Sequence, residues 1–151
     1  MKFVNILTPK KVNIYLKSKN IDDVLKELVE LISTDSKISK EEILKALKER
    51  EKIHSTGIGD GIAIPHARVK GLDKFYGALG ISKEGVDFNS IDKKPVNIFF
   101  VLLSPENNNN GKHIELLADI AKLAQNKEVI SKLLKSDSNS EAFEIIKKAS
   151  D

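Results

Sequence analysis

The sequence predicts one α/β domain spanning residues 1–151, a single central mixed sheet of about four strands flanked by about five helices. Three observations lead there. Segments with the spacing of amphipathic helices alternate along the chain with short apolar runs of strand length. No repeat or linker divides the 151 residues, the size of one ordinary domain. Hydrophobic residues at 40% and charged residues at 31% supply both a core and a solvated surface. Disordered, collagen-like and coiled-coil readings are therefore poor.

Val12-Asn13-Ile14-Tyr15-Leu16 alternates apolar and polar residues and reads as a short strand. Ile21, Val24, Leu25, Leu28, Leu31 and Ile32 form one helical stripe. Asn20 caps that helix, and Asp22 and Asp23 complement its dipole. Ser39-Lys40-Glu41-Glu42 has capping-box form and opens a second helix, with Ile43, Leu44 and Leu47 inward and Arg50 near its end. Gly57, Gly59, Gly61 and Gly71, with Pro65, make residues 54–71 largely loop around a short strand at Ile62-Ala63-Ile64. Phe75 to Ile81 and Val96 to Leu103 read as longer strands. The second is nearly continuous in apolar residues, as a central buried strand should be. Pro105 to Gly111 reads as a polar surface loop. Three helices close the chain, marked by Ile114, Leu117, Ile120, Ala121 and Ala124, then by Val129, Ile130, Leu133 and Leu134, and last by Phe143, Ile145 and Ile146 in a short segment.

Composition removes several classes of function. The net charge of +3 is small and dispersed, so nucleic acid is not an expected partner. Without cysteine there are no disulfides, thiolate metal sites or cysteine nucleophiles. No apolar run approaches a membrane span, and Met1-Lys2-Phe3-Val4-Asn5 lacks the core of a signal peptide. A cytoplasmic domain without direct membrane insertion is expected. Only two of the 25 basic residues are arginine, Arg50 and Arg68, and both lie in a stretch that also holds His54 and His66. Arginine offers a planar fork of donors suited to phosphate or carboxylate.

That stretch carries the chemistry. Glycines at positions 57, 59 and 61 leave amide N–H groups unobstructed, as a nest of donors for an anion requires, or simply build a turn. The spacing matches neither the dinucleotide fingerprint nor the Walker P-loop. Pro65 fixes its own φ and pushes Ile64 toward extended geometry, so His66 leaves the strand along a rigid path. A nucleophile or general base suits that position, and so does a half-buried histidine bonded to a backbone carbonyl. His113 opens a helix after the polar loop, pointing at a neighbouring site or into solvent. His54 reads as exposed. The three histidines, separated by 12 and 47 residues, match no zinc signature, and no G-x-S-x-G elbow supports a serine hydrolase.

The run Arg50-Glu51-Lys52, Ser55-Thr56-Gly57-Ile58-Gly59 and Gly61-Ile62-Ala63-Ile64-Pro65-His66 resembles the signature of the enzyme IIA domains of the bacterial phosphoenolpyruvate-dependent sugar phosphotransferase system. The similarity is to the fructose/mannitol class, which includes the nitrogen-regulatory IIA proteins. It continues through Gly85-Val86-Asp87-Phe88, Pro95-Val96 and His113-Ile114-Glu115-Leu116-Leu117-Ala118, and covers essentially the whole chain.

The resemblance implies that His66 accepts a phosphoryl group at Nε2 from the phosphocarrier protein HPr. In transport the group passes to a IIB domain and on to a fructose- or mannitol-like sugar, in association with a membrane IIC component. In regulation a target protein reads the phosphorylation state. Arg50 and His113 map onto the family's assisting residues, and Ser55 and Thr56 onto residues lining the phosphate site. Arg68 falls at a variable position, and no role carries over to it or to His54. Phosphoryl transfer asks mainly for positioning and charge stabilisation. Arg50 can neutralise phosphoryl oxygens, His113 can donate a hydrogen bond, and the Gly57–Gly61 amides or the Thr56 hydroxyl can add others. A carbonyl or similar acceptor should hold the other nitrogen of His66 as N–H. No metal or cofactor is called for. Ile62, Ile64 and Ala67 are candidates for buried support or for an apolar rim.

Overall fold

A computed structural model describes residues 1–32, 37–106 and 110–151. In chain order the elements are β1 (Val12–Asn13), α1 (Ile21–Ile32), α2 (Lys40–Ile53), β2 (Gly57–Gly59), β3 (Ile62–Ala63), β4 (His66–Val69), β5 (Tyr76–Val86), β6 (Val96–Pro105), α3 (Asn110–Gln125), α4 (Lys127–Leu134) and α5 (Asn139–Ala149). Short 3-10 turns at Phe3–Ile6 and Pro9–Lys11 precede β1.

The sheet is built on β6. Antiparallel β5 lies along one side, and β3 and then β4 run parallel along the other, with β1 and β2 outermost in the order β1-β5-β6-β3-β2. Every side chain from Ile98 to Ser104 is buried. Because strand side chains alternate between faces, β6 serves two cores at once. Ile98, Phe100 and Leu102 pack with Leu116, Ile120, Leu133 and Ile146 of the C-terminal helices. Phe99, Val101 and Leu103 pack with Val24, Leu28, Ile43 and Leu47 of α1 and α2. Both cores explain the unbroken apolar sequence, since a strand covered on each face has no polar side to show.

The caps form as the residue types require. Asn20 Oδ1 accepts from the Asp23 N–H at 3.0 Å and Ser39 Oγ from the Glu42 N–H at 3.2 Å. Ser138 Oγ does the same for Glu141 at 3.0 Å, opening an α5 longer than the Phe143–Ile146 stripe suggests.

The sheet has six strands rather than about four, and both extra strands fall in the stretch expected to be loop. β2 holds two glycines in three residues, so no alternation betrays it. Backbone pairing makes it a strand: the Ile64 N–H donates to Thr56 O at 2.9 Å and the Ile91 N–H to Gly57 O at 3.2 Å. Asp60 and Gly61, both at positive φ (57° and 78°), form the two-residue connection to β3. β4 is four residues long and pairs only with β6 among the described residues.

Other boundaries shift too. Of the run from Val12 to Leu16 only Val12 and Asn13 form ladder pairs. The Ile14 N–H turns to Asn139 Oδ1 at 2.9 Å, and Leu16 rejoins at the Ile81 carbonyl at 3.1 Å. β5 extends to Val86. Asn110 and Gly111, expected in a loop, belong to α3, and the expected loop at Asn107–Asn109 lies outside the described residues. Among the described residues no helix is long and apolar enough to cross a membrane.

Two features bring distant residues to the C-terminal end of β6. Pro65 ends the turn after β3, and its carbonyl accepts the Leu102 N–H at 3.0 Å, which sets His66 opposite Leu102. α3 then returns over the sheet with Leu116 and Ile120 buried, carrying its first turn back to the same end of the strand.

A Cβ on Gly57 would lie 2.9 Å from Ser90 Cα, a backbone atom that cannot swing aside. Gly57→Ala should therefore destabilise by about 1–3 kcal/mol. Gly111→Ala, where a Cβ meets nothing within 4 Å, should leave stability within about 0.5 kcal/mol. Urea titrations of the two variants check the contrast.

Candidate functional site

His66 stands at the start of β4, half-buried, with Nδ1 2.7 Å from the Ile64 carbonyl oxygen. A carbonyl can only accept, so in this bond Nδ1 carries the proton and Nε2 keeps the lone pair of the neutral ring. Burial pushes the His66 pKa below its ordinary value. The Ile64 carbonyl pulls it back, and the charge of Arg50 lowers it further. The ring is thus held as an uncharged base with one defined nucleophilic nitrogen.

His113, in the first turn of α3, comes alongside. The two ring centroids are 6.0 Å apart at an interplanar angle of 52°. His113 is only 8% exposed, and its Nδ1 lies 2.6 Å from Oγ of the fully buried Ser104. Burial first, then the charges of Arg68 and His66, push its pKa down to about 4. Arg68 follows His66 by two residues on the same face of β4 and is the register partner of Ser104.

Arg50 reaches the site from the end of α2. Its Nη1 donates to the His54 carbonyl at 2.8 Å, and its charge bears on both His66 and Glu51. One N–H of the guanidinium fork is thereby tied down, and among the described residues the rest have no hydrogen-bond partner. Ser55 Oγ accepts from the Gly57 N–H at 3.1 Å, which leaves its hydroxyl proton without a partner among the described residues.

Thr56 is placed differently from a free phosphate donor. It is buried, its hydroxyl donates to the Glu51 carboxylate, and its N–H donates to the same carboxylate at 3.1 Å. Burial raises the pKa of Glu51 while these two bonds hold it down.

The glycine run is a hairpin rather than an anion nest at His66. The Gly57 amide is bonded to Ser55, and the Asp60 amide donates to Asp92 Oδ2 at 3.1 Å. Ile62, at the hairpin's tip, pairs with Ile98, whereas His66 pairs with Leu102. That offset is four residues along β6, roughly 13 Å at strand rise. Thr56, just before the run, pairs with Ile64, two residues before His66.

The structure therefore sets His66 and His113 side by side with the charge of Arg50 bearing on His66, commits Thr56 to Glu51, and turns Ser55 toward the Gly57 amide. Ile62, Ile64 and Ala67 are all buried supports. Exposed apolar residues next to these histidines in sequence include Ile53 at 80%, beside His54, and Ile114 at 63%, beside His113. The His54 ring is exposed, with Nδ1 3.1 Å from the Ser55 carbonyl, and its backbone carbonyl is what engages Arg50. Among the described residues no group of three or more His, Asp or Glu is arranged to hold a metal ion.

Two participants escape a reading of the residues alone. Glu51 looks like one more solvated charge at a helix end. Ser104 interrupts an apolar strand at a buried position, and that interruption is the signal that could have marked it.

Residues 5–149 match the family model described as Phosphoenolpyruvate-dependent sugar phosphotransferase system, EIIA 2. The chain belongs to that family. It is 34% identical over 147 residues to the PTS system fructose-specific EIIABC component of Bacillus subtilis, covering 97% of this chain and 23% of that much longer protein. A nitrogen regulatory protein of Pseudomonas aeruginosa is 32% identical over 142 residues, covering 93% of this chain and 92% of its own. The crystal structure of nitrogen regulatory protein IIA-Ntr from Neisseria meningitidis superposes with a TM-score of 0.89 at 31% identity, covering 95% and 97% of the two chains. In this EIIA 2 domain, the histidine pair lies where β6, β4 and the first turn of α3 meet.

The neutral histidines leave a mark on stability. Unfolded, His113 protonates near 6.5; folded, it stays neutral until about pH 4. Between those values the unfolded chain binds the extra proton, so stability falls as pH falls through that window. Glu51, with its pKa raised in the folded chain, acts in the opposite sense as pH rises above 4.5. His113→Asn should remove about 1 kcal/mol of the loss between pH 6.5 and 4.5, once solvent screening is allowed for. Urea titrations of both proteins at the two pH values measure the difference.

Proposed function

We propose that the protein is a phosphoryl relay in which His66 Nε2 accepts a phosphoryl group from phospho-HPr and passes it to a IIB domain for uptake of a fructose- or mannitol-like sugar. The observation that carries this reading is the bond from His66 Nδ1–H to the Ile64 carbonyl. It leaves Nε2 as the lone-pair nitrogen of a neutral ring, which is what attack on phosphorus requires. A P–N bond forms at Nε2 as the donor's P–N bond breaks, and that electron pair returns to the donor nitrogen. His66 keeps its Nδ1 proton throughout.

The surrounding groups serve the charge that the transferring group carries. Arg50 approaches from the α2 side with most of its fork unspent among the described residues. His113 and the Ser55 hydroxyl are further donors. Thr56 acts indirectly: bound to Glu51 through both hydroxyl and N–H, it anchors the segment that carries Ser55. The scheme needs no metal or cofactor. Ile53 and Ile114 supply apolar surface for a transient partner, of the small kind that buries about 1,200 Å² or less.

The Bacillus subtilis relative, named as an EIIABC component, supports a IIB domain as the acceptor and a membrane IIC component as the downstream associate. The nitrogen regulatory protein of Pseudomonas aeruginosa, covered over 92% of its length, supports a second reading. In it the phosphorylation state of His66 is read by a target protein in the cytoplasm and no sugar is modified.

Incubation with phosphoenolpyruvate, enzyme I and HPr should add one acid-labile phosphoryl group by intact mass, and His66→Ala should add none. A wild-type extent of labelling in that variant overturns the reading. Arg50→Ala and His113→Ala should each slow transfer by roughly 100-fold while leaving some acceptance. Wild-type rates in both would remove their assisting roles. Discharge of the labelled protein onto a IIB domain favours transport, and stable retention with capture of a target favours regulation.

A further inference from the structure

We propose that Ser104 is a positioning residue that fixes His113 in the tautomer with its proton on Nε2, so that His113 meets a phosphoryl group on His66 as a hydrogen-bond donor. This role rests on the relay reading of His66.

A hydroxyl and a neutral imidazole can pair in two ways, because each can donate or accept. If His113 Nδ1–H donates to Ser104 Oγ, Nε2 is left with a lone pair that repels phosphoryl oxygens. The Ser104 proton must then find another acceptor. Ser104 is fully buried, and Oγ has no partner besides His113 among the described residues. Leaving that proton unpaired in a buried site is costly, because the hydroxyl has given up water without gaining a partner. If the hydroxyl donates to Nδ1, the proton is used and the ring hydrogen moves to Nε2. The second arrangement is favoured by the surroundings.

Charge in the neighbourhood keeps the choice between tautomers meaningful. Arg68, register partner of Ser104, and His66 both bear on His113, and with burial they disfavour the imidazolium. A doubly protonated ring would donate from both nitrogens and need no orienting partner; a neutral ring needs one.

The two histidines then form a matched pair of opposite tautomers. The Ile64 carbonyl, which can only accept, puts the His66 proton on Nδ1 and makes Nε2 a nucleophile. The Ser104 hydroxyl, which can donate, leaves Nδ1 of His113 bare and makes Nε2 a donor. A carbonyl in place of the Ser104 hydroxyl would reverse the second ring.

Ring nitrogen shifts of 15N-labelled protein near neutral pH read the tautomers directly. Wild type should show His113 protonated on Nε2 and His66 on Nδ1. Ser104→Ala should shift His113 to a mixture, leave His66 unchanged and slow phosphoryl uptake about 10-fold, measured both from HPr and from the small donor phosphoramidate. Ser104→Thr, which keeps the hydroxyl, should restore tautomer and rate. A structural role alone would lower stability without moving the nitrogen shifts. Wild-type His113 protonated on Nδ1, or a Ser104→Ala protein with unchanged tautomer, overturns the proposal, and the wild-type measurement stands even if a variant fails to fold. No uptake by wild type from either donor, with the expected tautomers present, overturns the relay reading instead.

Discussion

The hydrogen bond from His66 to the carbonyl two residues before it is short in sequence and depends on most of the molecule. Ile64 must be extended for its carbonyl to meet the ring, and Pro65 favours that conformation. The Ile64 N–H is paired with Thr56 and the Pro65 carbonyl with Leu102, so neither neighbour can rotate without breaking a ladder bond. Those bonds in turn rest on β6, whose side chains are clamped between two hydrophobic cores. A nucleophilic nitrogen at one edge of the sheet is thus oriented by packing on both of its faces.

Electrostatics divides the site by element. The imidazoles are kept neutral by burial, while the cations come from elsewhere: Arg50 from the end of α2 and Arg68 from further along β4. A neutral nucleophile beside fixed positive charge is the arrangement that phosphoryl transfer uses, since charge on the oxygens is met without protonating the attacking nitrogen. The half-buried Glu51, next to Arg50 in sequence, would oppose an anion if its charge were free. Instead it is occupied by both donors of Thr56 and carries a raised pKa. Its charge goes into holding the chain between α2 and β2.

Much of this was legible in the residues and some of it was not. Helix stripes such as Ile21 to Ile32 and Ile43 to Leu47 repeat over several turns, so their periodicity survives local noise. The long apolar run of β6 announced a buried central strand. β2 and β4 were hidden because strands of three or four residues carry too few alternations to read, and glycine contributes none. The glycine run allowed a nest or a turn, and the hairpin register decided for the turn. That register also carried its tip about four residues along β6 from His66.

Composition and motif by themselves determined the α/β class, the two helices before the site, the central strand and the resemblance that singled out His66, Arg50 and His113. These are local or repeated signals: periodicity, capping chemistry, and a long motif with rigid spacing. Tertiary structure alone decided which polar group serves which. It bound Thr56 to Glu51, set Arg68 opposite Ser104, and closed the distance between two histidines 47 residues apart in sequence. The physical reason is that hydrogen-bond partnership depends on distance and direction across elements. Only the packed sheet, with α3 folded back on it, brings Ser104 to 2.6 Å from His113.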